Sequence, residues 1–169
     1  MLYICRMHID EAKEKFIQSW GSLGSSWGIN RTMAQIHALL LISTEPISTE
    51  DIMEQLQVSR GNVNMNTRAL MDWGIVTKKH KAGERREYFV AEKDIWAVAR
   101  QISRERRKKE IEPLIKALDE MKKVSGSDAE TKEFKKMMTE LSDFTGKVDT
   151  VFDKFIKSDE HWFYKSLLK

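Results

Sequence analysis

VSRGNVNMNTRALMDWGIV, residues 58–76, carries the reading from which the rest of the chain is understood. Ser59 has the side chain a helix N-cap needs, a hydroxyl that accepts from a free first-turn amide. Val58 before it and Val63 after it are spaced as a hydrophobic staple. Val63, Thr67 and Leu70 recur three and four residues apart, so they share one inward face. Gly74 follows Trp73 where a helix commonly ends on a left-handed residue. A helix over 59–73 is expected, with Arg60, Gly61, Asn62, Asn64, Met65 and Arg68 facing outward. That face lacks the Glu/Lys pairs of an ordinary solvated helix, and no acid precedes Asp72. Arginine can span two guanine acceptors, and asparagine can match the donor and acceptor of adenine. Gly61 lets backbone come close to a ligand, and the free amides of the first turn favour an anion. The outer face therefore suits the major groove of double-stranded DNA.

The neighbouring sequence agrees. In EPISTEDIMEQLQ, residues 45–57, Ser48 and Asp51 are spaced as a capping box, with Ile47 and Ile52 as its staple. A short helix over about 48–56, a tight connection and a second capped helix form a helix-turn-helix. Two β-prone runs follow, IVTKKHK (75–81) and REYFVAE (86–92), joined by AGER with Gly83 in the turn. This hairpin, the wing over 75–91, brings Lys78, Lys79, Lys81, Arg85 and Arg86 to one end. Wing arginines suit a narrow minor groove; the alternative is a charged tip that blocks edge-to-edge aggregation.

Outside this centre, residues 8–20 have helical spacing, and GSLGSSWG (21–28) reads as a turn or broken helix because three glycines fall within it. A helix is expected over 31–43. Helical periodicity returns from Lys93, with a kink or break near 110–113 at Pro113. A last long helix is expected over 129–157. Phe134, Met138, Leu141, Val148, Phe152 and Phe155 form its stripe, with Met137, Phe144 and Val151 beside them, a partly heptad pattern that calls for a partner helix. The fold class expected is mainly α: a winged helix-turn-helix with a small hairpin, flanked by long dimerisation helices. Its divisions are an N-terminal helix and loop over 1–30, the DNA-binding domain over 31–92, and a helical dimerisation region over 93–169.

Composition supports this. Only two prolines and eight glycines interrupt 169 residues, and 41% of the chain is hydrophobic, enough for a helical core. The net charge of +3 is unevenly spread. Residues 75–109 hold 12 basic and 5 acidic side chains, whereas the segments on either side are each net −2, a concentration that favours a polyanionic partner. A single cysteine, Cys5, excludes an intrachain disulfide and points to a reducing, cytoplasmic compartment. No apolar run approaches the roughly 18 residues of a membrane span, so no membrane partner is expected. His8, His37, His80 and His161 are scattered, and no nucleophile elbow, phosphate loop or metal motif occurs. Neither an enzyme nor a cofactor is expected. Met7 is an alternative start to Met1.

The segments WGINRTMAQIHALLLIS (27–43), VSRGNVNMNTRALMDWGIV and ISRERRKKEIEPL (102–114) resemble the GbsR-type branch of the MarR regulators. The resemblance covers about residues 20–118; the tail over 119–169 matches nothing specific. It implies a homodimeric winged helix-turn-helix transcription regulator, with Ser59, Arg60, Asn62, Asn64 and Arg68 in the helix and Arg85 and Arg86 in the wing on DNA; a repressor on a palindromic operator is the expected form. It also implies a small effector such as choline or a related osmolyte. Quaternary ammonium groups bind aromatic faces, which nominates Trp20, Trp27, Tyr88 and Trp96 as a cage; the alternative is that they are core or interface aromatics. Two-fold symmetry doubles the bases read, with half-sites about 10 bp apart. A winged-helix interaction scaffold without DNA binding is the other functional reading. It calls for exposed Leu, Ile or aromatic side chains on helix 59–73.

Overall fold

The computed structural model describes residues 7–158 and divides into two compact units, one ending at Asp94 and the other beginning at Ile95. Cys5 and the HWFY patch at 161–164, a candidate helix end or dimer contact, lie outside the described residues.

The first unit runs α1 (Ile9–Ser26), α2 (Arg31–Ile42), β1 (Ile47–Ser48), α3 (Thr49–Leu56), α4 (Arg60–Asp72), β2 (Val76–Lys79) and β3 (Tyr88–Ala91). Its core is α2, whose Ile36, Ala38 and Leu40 are almost wholly buried, packed against Ile52 of α3, Val63 and Leu70 of α4, and Phe89 of β3. Each such side chain, fully buried, contributes about 1.5–3 kcal/mol. The caps form as the sequence predicts. Ser48 Oγ accepts from the Asp51 amide at 3.1 Å, and Asp51 Oδ2 accepts from the Ser48 amide at 3.3 Å. Ser59 Oγ accepts from the Asn62 amide at 3.3 Å. Gly74 ends α4 at φ 70°, and the Ile75 amide then reaches back to the Leu70 carbonyl.

Two expectations are corrected here. Residues 21–26 continue α1 instead of breaking it. Gly21 and Gly24 are there for close packing. A Cβ on Gly24 would stand 2.5 Å from Ala34 Cβ, and one on Gly21 would stand 2.6 Å from Gln35 Cγ, so the glycines let α2 approach α1. The chain turns only at Gly28, where φ is +74°. The wing is also more than a hairpin. Its sheet has three strands in the order β1-β3-β2, all antiparallel, with Ile47 opposite Phe89 and Val76 opposite Ala91. The staple residue Ile47 thus covers an edge of β3 as well as closing α3.

The second unit contains α5 (Ile95–Arg106), a π turn (Arg107–Ile111), α6 (Glu112–Met121) and α7 (Ala129–Lys157). Pro113 lacks an amide hydrogen, and its ring crowds the preceding turn. The helical path is not broken there; it widens by one residue just before Pro113, which occupies the first turn of α6. Arg107, within the π turn, clasps Asp149 of α7 through Nε at 2.7 Å and Nη2 at 3.1 Å. That pair holds the Asp149 carboxyl below its ordinary range. Asp128 caps α7 by accepting from the Thr131 amide at 2.9 Å.

Candidate nucleic-acid interface

Helix α4 turns Val63, Asn66, Thr67 and Leu70 inward. Ser59, Arg60, Gly61, Met65 and Arg68 are exposed, Met65 at 60%, while Asn62 and Asn64 are half-buried. Burial of Asn66 was not legible from apolar spacing. Its amide is satisfied within the helix, donating to the Asn62 carbonyl and to Asn62 Oδ1, both at 2.8 Å. Asn62 therefore presents its side-chain NH2 more freely than its oxygen. Thr67 is buried by the same device, its hydroxyl donating to the Val63 carbonyl at 2.9 Å.

The two arginines of α4 are in different situations. Arg68 is exposed, with no ion pair among the described residues. Arg60 donates from Nη2 to Glu50 Oε1 of α3 at 2.8 Å. No acid lies in the first turn of α4, so its amide end remains open to an anion.

In the wing, Arg85 and Arg86 are exposed around the turn at Gly83 (φ 82°). Lys79 is exposed on β2, whereas Lys78 pairs across the hairpin with Glu87. Tyr88 is buried; its hydroxyl bonds Glu84, which pushes the phenol's pKa up, and the Lys81 ammonium lies 4.4 Å from its ring centre. Charge counting included Glu50, Glu84 and Glu87 but did not show their pairing, each being engaged by a basic or phenolic side chain. Only the folded chain reveals those partners.

Of the four nominated aromatics, Trp20, Trp27 and Tyr88 lie in the first unit and Trp96 in the second. Trp20 lies between Phe16 and His37, with ring centres 5.5 and 6.4 Å away. Trp27 follows α1 and is 55% exposed. The face of Tyr88 carries Lys81, a cation of the kind a cage would receive. Trp96 belongs to the second unit and meets Phe155 edge-on at 5.2 Å. Among the described residues, no group of three or more His, Cys, Asp or Glu side chains is placed to hold a metal ion. No helix among them is long and apolar enough to cross a membrane.

Two capped helices followed by a basic antiparallel hairpin constitute a winged helix-turn-helix. Residues 27–87 match the MarR family model. Over 88 residues, 52% of this chain, the sequence is 27% identical to the HTH-type transcriptional repressor GbsR of Bacillus subtilis (strain 168). That match spans 48% of the repressor, about half its length. A solved structure described as a transcriptional regulator shares the fold, with a TM-score of 0.66 at 20% identity over 86% of this chain and 95% of that one.

Proposed function

We propose that this chain is a homodimeric transcriptional repressor that reads a palindromic DNA site, with α4 in the major groove and the wing beside the minor groove. The observation that carries the reading is the outer face of α4: Ser59, Arg60, Gly61, Asn62, Asn64, Met65 and Arg68 at or near the surface, free of acids in the first turn. Lys78, Lys79, Arg85 and Arg86 add positive charge from the wing, and the name of the GbsR relative supports the repressor role. Met65 alone is a large exposed apolar side chain on α4, too little for a protein-interaction surface there.

Dimerisation is supported separately by α7. Phe134, Met137, Leu141, Phe144 and Val151 are exposed, Phe144 and Val151 at 65% and 66%. With half-buried Val148 they follow the three-four spacing of a coiled-coil seam. A second copy of this chain supplies an equivalent seam.

Affinity for duplex DNA measured across a salt series tests the function. Several lysine and arginine contacts to phosphate produce a steep loss of affinity as salt rises. Arg68→Ala is expected to reduce discrimination between selected and random duplexes about tenfold, near the lower end of one base contact. A flat salt response overturns the DNA reading. An osmolyte effector is the finer part of the proposal, and calorimetry with choline tests it. Absence of heat at millimolar choline removes the effector and leaves DNA recognition standing.

A further inference from the structure

Glu50 is a carboxylate beside a face otherwise arranged to receive a polyanion. Its Oε1 accepts from Arg60 Nη2 at 2.8 Å, and this bond, aided by the charges of Arg60 and Arg86, holds its pKa down. Its other oxygen, Oε2, is shielded from solvent and has no hydrogen-bond partner among the described residues. The Arg60 and Glu50 side chains remain 57% and 39% exposed, so the pair adds little to stability. An acid here also repels phosphate. Its place is better explained by what it does to Arg60. A guanidinium has five N–H donors in a rigid fork. Held by Glu50, that fork has one donor committed to α3 and stands at the start of the helix proposed to enter the groove.

We propose that Glu50 is a positioning residue for base recognition: it keeps Arg60 off the phosphate backbone and orients it toward a base edge, exchanging total affinity for selectivity. This rests on the DNA-binding reading above. Without the carboxylate, Arg60 is free to neutralise a phosphate, a contact that carries no sequence information.

The test uses the full chain and a pool of duplexes randomised over about 20 bp, two helical turns. Wild type, Glu50→Gln, Glu50→Asp and Arg60→Ala are each used to select from the pool, and their affinities for one fixed random duplex are measured across salt. Wild type is expected to select a base, guanine by chemistry, at a position that Arg60→Ala leaves unselected. Glu50→Gln should lose selection at the same position while binding the fixed duplex about fivefold tighter, with a salt slope steeper by about one contact. Glu50→Asp keeps the charge and withdraws it from Arg60, so selection falls with no gain in random affinity. Loss of general stability does not produce tighter random binding. If both Glu50 variants select the same bases as wild type with equal stringency, the positioning role is overturned and DNA binding stands. If wild type holds duplex without salt dependence, the DNA-binding reading fails and this proposal fails with it.

Discussion

Helices α4 and α7 each leave a face uncovered, and the two faces have opposite chemistry. On α4 the uncovered side carries arginine, amide and hydroxyl groups around a single methionine. On α7 it carries phenylalanine, methionine, leucine and valine at three-four spacing. The first retains its hydrogen-bonding capacity for a partner that offers donors and acceptors. The second has only area to offer, so its partner is another apolar helix. Exposure alone identifies neither role; the composition of the exposed side does.

The largest effect should come from breaking the apolar side. Phe144→Asp is expected to raise the dimer dissociation constant at least about 100-fold, because two phenylalanines leave the symmetric seam and each buried side chain contributes about 1.5–3 kcal/mol. Monomer stability should change little, since Phe144 is already mostly exposed within its own unit. Sedimentation across a dilution series checks this. A variant that sediments as wild type does at every concentration removes α7 as the seam. The same variant should keep a weakened, salt-dependent hold on DNA through each separate α4.

Acid should separate the two units. His37 of α2 is buried, its Nε2 lacks a hydrogen-bond partner among the described residues, and its pKa is lowered to about 4, first by burial and then by the charge of Lys93. The folded unit resists a proton that the unfolded chain accepts below its ordinary value of 6.5. Stability is therefore complete above pH 6.5 and falls as pH drops toward 4, by up to about 3 kcal/mol. In the second unit, Asp149 is held low by Arg107, so its contribution persists until pH falls below the carboxylate range. Hydrogen exchange at pH 7, 5.5 and 4.5 is expected to show amides of α2 and α4 losing protection before those of α7. His37→Leu should flatten the dependence; an unchanged slope assigns it to other groups.

The same contrast shows what the sequence disclosed. Caps at Ser48 and Ser59, the Gly74 terminus and the span of α7 were legible because each depends on neighbours within one or two turns. The path through Gly21 and Gly24 was not. Glycine spacing gives the same signal for a turn as for close helix packing, and only Ala34 and Gln35 across the gap distinguish them. Three-strandedness was hidden because β1 is two residues long and its pairing partner, β3, lies some forty positions later. Among the candidate contacts, outward placement on α4 followed from helical period. The engagement of Arg60 by Glu50 required the fold, since it depends on the distance between two helices; that of Asn62 by Asn66 lies within one turn of α4 and depends on side-chain direction.

A smaller effect should separate platform from reader. Gly24→Ala puts a methyl 2.5 Å from Ala34 Cβ, and because both Cβ atoms are fixed to their backbones, one helix must shift. It is expected to cost about 2 kcal/mol through overpacking of α1 on α2, read as a lower urea midpoint for the unit that bears α4. The α7 seam should be untouched, so a fall in dimer affinity of the same size would show that the two faces are not independent.

Gly61→Ala should have the smallest effect on stability, with the opposite sign. Gly61 lies in the first turn of α4 at an ordinary helical backbone, and an added Cβ meets nothing within 4 Å. Alanine there restricts the unfolded chain more than glycine does, so stability is expected to rise by about 0.5–1 kcal/mol. If Gly61 serves only the helix, DNA affinity should be unchanged or improved. If its bare backbone is what a phosphate approaches, the methyl group stands in the way, and affinity should fall several-fold while the thermal midpoint rises. Opposite movements of stability and binding in one variant are not produced by a loosened fold. Parallel movements would remove Gly61 from the contact surface and leave Arg68 and the wing to carry it.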